Sequence, residues 1–366
     1  MRPLVRYWLV QAFRIAVYLD DGLGVCPSFA DCFSQSLAVK SDLFRVGFVV
    51  NTQKSIWAPV QSLRGLGYHW DLKDNLLTVP EDKIDKLLVS FDNALSQSSL
   101  PAWQLASVTG SIISNMLVFH NVCKLMTKSL HRALDRREGW ESRVGLDHAA
   151  RKELEFWKSS VSHLNSRCFA DAIRRPSRIV YSDASAVGCA AFVAIDMPIS
   201  YKNWDSLQIK QSSTWRELHC VSFVLKSLAH LLSGCFVKWF TDSQAVSLIV
   251  HSGSRNEHLH QLVVDIFHRA KENNIEIEVE WIPRSLNEKA DYLSKIIDFD
   301  DWTVKDCFFH AVNSYWGPCS VDCFASCKNH KIPRFYSKFC NPGSLGVDSL
   351  AFNWAGETCS WCHLFH

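Results

Sequence analysis

Four acids in the second half of the chain stand where carboxylates can do chemistry. Asp183 lies inside the apolar stretch "IVYSDAS" and Asp242 ends "VKWFTD". Glu217 falls in the first turn of the helix expected over "STWRELHCVSFVLKSLAHLL", and Asp291 in the first turn of another that starts near Asn287 in "NEKADYLSK". Strand ends and helix starts are places where side chains from distant segments converge over a sheet edge. Four acids there repel one another unless cations intervene, and their hard oxygens suit two Mg²⁺ ions, with Mn²⁺ as a substitute. Such a pair of ions activates a water on one side of a phosphodiester and stabilises the departing oxygen on the other, so the implied chemistry is phosphodiester hydrolysis.

Each acid also has a plainer reading. Thr214 and Glu217 fit the spacing of a capping box, Asp242 could cap the helix that begins after it, and Asp291 could simply favour a positive helix end. A charge inside the apolar run around Asp183 is the hardest to explain this way. The order Asp, Glu, Asp, Asp on strand, helix, strand end and helix is far more specific than any one member.

The elements needed to position these acids are legible as patterns. "RIVYSDASAVGCAAFVAI" predicts two strands around a turn, and Leu218, Val221, Leu225, Leu228 and Leu232 form one side of an amphipathic helix. "CFVKWFTDSQAV" reads as a strand running into a helix, and "NEHLHQLVVDIFHRAKENN" as a further helix. "IEIEVEWI" alternates strictly, with Ile275, Ile277, Val279 and Trp281 inward against three glutamates. These pieces compose a mixed sheet with helices packed on it, an α/β (α+β) architecture.

The first half carries a different pair of acids, Asp20 and Asp21 in "RIAVYLDDGLGV". Asp21-Gly22 between apolar segments predicts a hairpin turning there. A turn needs one Asp-Gly, so the second aspartate asks for a further reason. Gly22 and Gly24 lack the third glycine and the strand-to-helix setting of a phosphate-binding fingerprint. Ser28 is placed to cap a helix bearing Phe33, Leu37 and Phe44 and ending at Gly47. Short strand-like pieces follow in "GFVVNTQKSIW" and "LRGLGYHWDLKDNLLTV". From Pro80 to about His163 the pattern is helical, with the Lys83/Lys86 and Arg136/Arg137 pairs on it. Their ordinary reading is a solvated face, with phosphate contact the alternative.

Composition narrows the classes. The 366 residues can hold two or three domains, and 48% hydrophobic with 21% charged residues is ordinary globular protein. A net charge of +2 announces no nucleic-acid binder, so any basic surface is local. No apolar run approaches the roughly 20 residues that span a bilayer, and the N-terminal segment is broken by Arg6, Gln11 and Arg14. The expectation is an intracellular chain, cytoplasmic or nuclear, with its 14 cysteines reduced and no membrane partner.

"VYSDAS", "STWREL", "WFTDSQA" and "RSLNEKADYLS" resemble the four catalytic segments of a retroelement ribonuclease H domain. That resemblance implies that Asp183, Glu217, Asp242 and Asp291 hold two Mg²⁺ ions and cut the RNA strand of an RNA–DNA hybrid. It also implies a histidine in the loop before the last Asp, and "IPRSLNEKAD" has none, which leaves product release without its usual group. "YLDD" in turn resembles the tyrosine-x-Asp-Asp hairpin of reverse transcriptases, with Asp20 as main metal ligand, Asp21 beside it and Lys54 in the matching "QKS" element. With "WGPCSVDCFASCKNHKIPRFYS" and "NPGSLGVDSLAFNW" near the end, the chain most resembles the DIRS-type retrotransposons.

By that resemblance residues 1–79 are the later part of a palm, 80–174 thumb and connection helices, 175–297 the ribonuclease H-like domain and 298–366 a family-specific tail. The fingers and the first palm Asp would lie before residue 1, so the expected partners are RNA–DNA hybrid, template-primer nucleic acid and the missing palm and fingers of a full-length polyprotein. Polymerisation needs that further carboxylate and is not expected of this chain alone. Grip on the hybrid would come from Lys83, Lys86, Arg136, Arg137 and Arg284, since such helices are recognised mainly through backbone shape and 2′-hydroxyls. The rival from another class is a nucleic-acid-binding remnant without catalysis. A third reading is a zinc-stabilised tail, in which "CSWC" (Cys359, Cys362) with His363 is completed by Cys323 or Cys327, among cysteines that also include Cys319 and Cys340.

Overall fold

The computed structural model describes residues 1–168, 175–195, 198–297 and 303–360, and the chain divides into two compact units, Met1–Ala172 and Ile173–His366. Both mix helices with sheet.

In the second unit β1 (Arg178–Ala184), β2 (Gly188–Val193) and β3 (Ile199–Asn203) run antiparallel in succession. Helix α1 (Ser213–Ser227) then leads into β4 (Phe236–Thr241), and α2 (Gln244–Ser252) and α3 (Glu257–Glu272) lead into β5 (Glu276–Trp281). The sheet order is β3-β2-β1-β4-β5, with β4 parallel to both β1 and β5. Parallel neighbours require crossovers of a dozen or more residues, which the helices supply. After β5, helix α4 (Glu288–Ser294) contacts β1 and β2, and a further helix, Asp306–Trp316, follows it.

The sequence explains these choices. Leu218, Val221, Leu225, Leu228 and Leu232 are all buried, as the helical stripe predicts, against a sheet interior containing Val180, Ala190, Val237 and Trp239. Each such side chain contributes about 1.5–3 kcal/mol by leaving water. The stripe does not lie on one continuous helix, because Leu228 leaves helical geometry and Ala229–Leu232 forms a separate turn. Trp281 also departs from the alternation: it is 40% exposed at the end of β5, where its indole N–H donates to the Asp242 carbonyl at 3.1 Å. Strand β3 was not foreseen, since "ISYKN" has little apolar alternation.

Residues after 303 do not stand apart from this sheet. The Cys340 amide donates to the Ile199 carbonyl at 2.8 Å, the Ser200 hydroxyl donates to the Cys340 carbonyl at 3.0 Å, and Phe339 lies 5.0 Å from the Tyr201 ring. The outer edge of β3 is thus partly paired.

The first unit has its own core. Helices Glu81–Leu95, Ala102–Ser114, Lys128–Asp135 and His148–Ser160 enclose Phe91, Leu105, Ile112, Leu130, Leu154 and Trp157. Buried Glu153 accepts hydrogen bonds from the Ser129 and Leu130 amides, satisfying the start of the Lys128–Asp135 helix. Ser28 caps Phe29–Arg45 by accepting from the Asp31 amide. Three strands, Ser62–Gly65, Tyr68–Asp71 and Leu76–Thr78, form a sheet joined by Arg167–Cys168, whereas "GFVVNTQKSIW" contains no strand.

The hairpin forms, but not with the expected turn. Ile15–Tyr18 pairs with Asp21–Gly24 so that Tyr18 faces Asp21 and Val17 faces Gly22, leaving Leu19 and Asp20 in the bend. Leu19 adopts φ +55° there. This register sets Gly22 and Gly24 opposite Val17 and Ile15, so Asp21-Gly22 lies in the strand and not at the bend.

Candidate metal-dependent active site

Three of the four acids meet. Phe240 of β4 pairs with Tyr181 of β1, so Asp242 and Asp183 each lie two residues further along adjacent parallel strands. Carboxyl ends of parallel strands are where α/β sheets open toward ligands. Glu217 reaches them from α1, and one carboxylate oxygen from each of Asp183, Glu217 and Asp242 lies within 4.8 Å of the other two.

Capping does not account for these positions. Helix α1 is capped by Ser212, whose hydroxyl accepts from the Trp215 amide, so Thr214 and Glu217 form no capping box. Ser243 caps α2 by accepting from the Val246 amide, and Asp242 is released from that role. Asp291 is the fourth residue of α4, so its favourable interaction with the helix start remains available.

The local electrostatics are those of an acid cluster short of positive charge. Burial first, then the neighbouring Asp183 and Asp242 carboxylates, push Glu217 up to about 9. Burial also raises Asp183, with Asp242 and Asp291 adding to the rise and the Ser294 hydroxyl opposing it. Among the described residues no lysine or arginine forms an ion pair with Asp183, Glu217 or Asp242. Arg216 opposes the rise at Glu217 without forming an ion pair, and an all-oxygen donor set whose members repel one another fits a hard divalent cation.

The fourth acid stands beside the cluster in a different state. Both Asp291 oxygens are engaged, Oδ1 by Arg284 and Oδ2 by Lys295. Burial acts to raise its pKa, but the bonds from Lys295 and Arg284 outweigh that and hold it below the usual carboxylate range. Two residues that sequence reading did not single out fasten α4 to β1. The Ser294 hydroxyl donates to Asp183 Oδ2, and Asn287 donates from Nδ2 to the Ser182 carbonyl at 3.0 Å. Ser294 was visible within the quoted "ADYLS" segment, three residues beyond Asp291.

The remaining candidates divide between the units. Arg284 sits in a short turn, Arg284–Leu286, before α4. In the first unit Lys83 donates from Nζ to the Gly67 carbonyl at 2.8 Å, Arg136 pairs with Asp147 at 3.5 Å, and the Arg137 guanidinium lies 4.3 Å from the Trp140 ring centre. Lys86, Lys54, Asp20 and Asp21 are exposed. Among the described residues Asp183, Glu217 and Asp242 form the only group of three or more potential metal ligands, so Asp20 and Asp21 belong to none. The same holds for Cys319, Cys323, Cys327 and Cys340, while the Cys359 side chain, Cys362 and His363 lie outside the described residues. No helix among the described residues is long and apolar enough to cross a membrane.

No protein-family model matches the chain, and no curated protein does. Solved structures do resemble it. The foamy viral protease-reverse transcriptase in complex with RNA/DNA hybrid is 14% identical at a TM-score of 0.38, with 83% of this chain and 39% of that chain covered. LC11-RNase H1, isolated from compost and in complex with RNA/DNA hybrid, is 16% identical at a TM-score of 0.27, covering 32% of this chain and 93% of that one. RNase H1 from the halophilic archaeon Halobacterium salinarum NRC-1 is 16% identical at 0.27, covering 32% and 92%. This chain therefore spans less than half the length of the foamy viral chain. At these scores the functional reading rests on the residues and distances above.

Proposed function

We propose that residues 175–297 hydrolyse the RNA strand of an RNA–DNA hybrid with the help of two divalent cations, Mg²⁺ or Mn²⁺. The observation that carries this reading is the convergence of Asp183, Glu217 and Asp242 within 4.8 Å. Those three would hold one ion, and Asp291 together with Asp183 the other. Bound there, the ions would supply an activated water and charge stabilisation for the departing oxygen. The chain's own contribution is to hold the acids in place: the Ser294 hydroxyl fixes one oxygen of Asp183, and helix α1 carries Glu217 to the same end of the sheet. The choice of RNA–DNA hybrid rests on the likeness of the four acid-bearing segments to retroelement ribonucleases H.

The likeness of "YLDD" and of the C-terminal motifs supports a DIRS-type origin, a palm segment at 1–79, thumb and connection helices at 80–174 and a family-specific tail from 298. Polymerisation is not part of the proposal for residues 1–366 alone. Asp20 and Asp21 would need a further Asp from another palm segment of a polyprotein.

The test is cleavage of a labelled RNA–DNA hybrid by the purified chain with Mg²⁺, beside Asp242→Asn and a chelator control. Cleavage that both controls abolish supports the nuclease. Hybrid binding that persists in chelator, without cleavage by the folded chain, would replace it with the non-catalytic binding remnant.

A further inference from the structure

The four acids are treated unequally by the surrounding cations, and that asymmetry has a consequence. Asp183, Glu217 and Asp242 carry no ion pair among the described residues, whereas Asp291 has one on each oxygen, from Arg284 and Lys295. The two cations come from opposite sides of the acid in sequence. Arg284 belongs to the turn before α4, and Lys295 lies at the end of α4, one helical turn beyond Asp291. Both are well exposed, 66% and 50%, while the Asp291 side chain is 18% exposed. Each Asp291 oxygen keeps a lone pair that could face a metal ion, but a cation on each offsets the charge that would attract one, so an arriving ion must compete with both.

We propose that Arg284 and Lys295 are internal counter-cations that occupy Asp291 until a second divalent ion displaces them, and so set the ion concentration the site requires. This rests on the two-ion reading above. In the unloaded chain they offset the repulsion between Asp291 and Asp183. A second ion held at Asp291 would free the guanidinium and ammonium toward solvent. Exposed ion pairs are weak, so displacement is feasible at ordinary ion concentrations.

The experiment is direct titration of Mn²⁺ into the full chain without nucleic acid, read by the magnetic resonance signal of free Mn²⁺, for the wild type, Arg284→Gln, Lys295→Gln and the double variant. The double variant is expected to take up its second ion at a roughly 3- to 10-fold lower concentration, the range that losing two exposed pairs allows. Arg284→Lys, which keeps the charge, is expected to stay near the wild type. Unchanged or weaker second-ion binding in a folded double variant, with two ions still bound by the wild type, overturns the counter-cation role and leaves the nuclease reading intact. A wild type that binds no Mn²⁺ overturns both.

Discussion

The Ser294 hydroxyl donates a hydrogen bond to Asp183 Oδ2 across 111 positions of sequence, joining helix α4 to the first strand of the sheet. Asp183 is nearly buried and Ser294 wholly so, and the bond stabilises the charged carboxylate that burial opposes. Ser294→Ala leaves that oxygen without its donor. The expected loss is about 1–3 kcal/mol in metal-free urea unfolding. An unchanged midpoint would show that the hydroxyl contributes nothing to holding α4 on the sheet.

The pH dependence of metal-free stability follows from Glu217. Its folded pKa of about 9 lies above the ordinary 4.5, so the folded state retains a proton that the unfolded chain gives up. The stability it contributes is fully present below about pH 4.5 and is lost as pH rises through about 9. Asp183, also raised, acts with the same sign, whereas the depressed Asp291 weakens the fold only in acid. In chelator, Tm should fall from pH 5 to pH 9. Glu217→Gln should flatten the curve, and Mg²⁺ should restore more stability at pH 8 than at pH 5. A Tm that rises over this window would contradict the assignment.

Loss of a metal-holding acid should separate folding from chemistry. Asp242 follows β4 and is not the cap of α2, so Asp242→Asn is expected to preserve the circular dichroism spectrum. Its hybrid cleavage should drop by about a thousand-fold or more, the scale of several kcal/mol of metal-centred stabilisation.

The hairpin bend offers a stability test independent of the site. Leu19 is 78% exposed at φ +55°, a conformation that costs a leucine and suits asparagine. Leu19→Asn should gain about 0.5–1 kcal/mol locally, visible as slower amide exchange at Tyr18 and Asp21.

Deleting residues 298–366 should expose the edge of β3 that Cys340 pairs with. Open strand edges recruit other chains, so the shortened protein is expected to self-associate at micromolar concentration by light scattering. A monomeric shortened chain would make the pairing dispensable.

What the sequence reveals and what it hides divide along a physical line. An aspartate inside an apolar strand and leucines at helical spacing are local signals, and Asp183 and the α1 stripe were legible for that reason. Cap positions were misread because serines at 212 and 243 compete with Thr214 and Asp242 over one or two residues, and only backbone geometry decides. The hairpin bends at Leu19 and Asp20, and not at the Asp21-Gly22 dipeptide, because register belongs to the whole ladder and not to one dipeptide. Strand β3 and its bond to Cys340 are set by pairing between distant segments, which no local window carries. The pairing of Asp291 with Arg284 and Lys295 was hidden for a different reason: all three lie close in sequence, but spacing alone does not say whether a basic residue faces an acid or a ligand.

The contact between Ser200 and Cys340 also bears on how the protein is made. The residue that pairs with the sheet's outer edge is synthesised 140 positions after the edge itself. The sheet is complete only with Trp281, so at about 5–20 residues per second the assembled sheet waits roughly 3–12 seconds for Cys340. The interval is long against hairpin formation, which takes microseconds. Nascent chains therefore pass through a stage with a folded but open sheet, a state that chaperones bind and that crowded polysomes could join edge to edge.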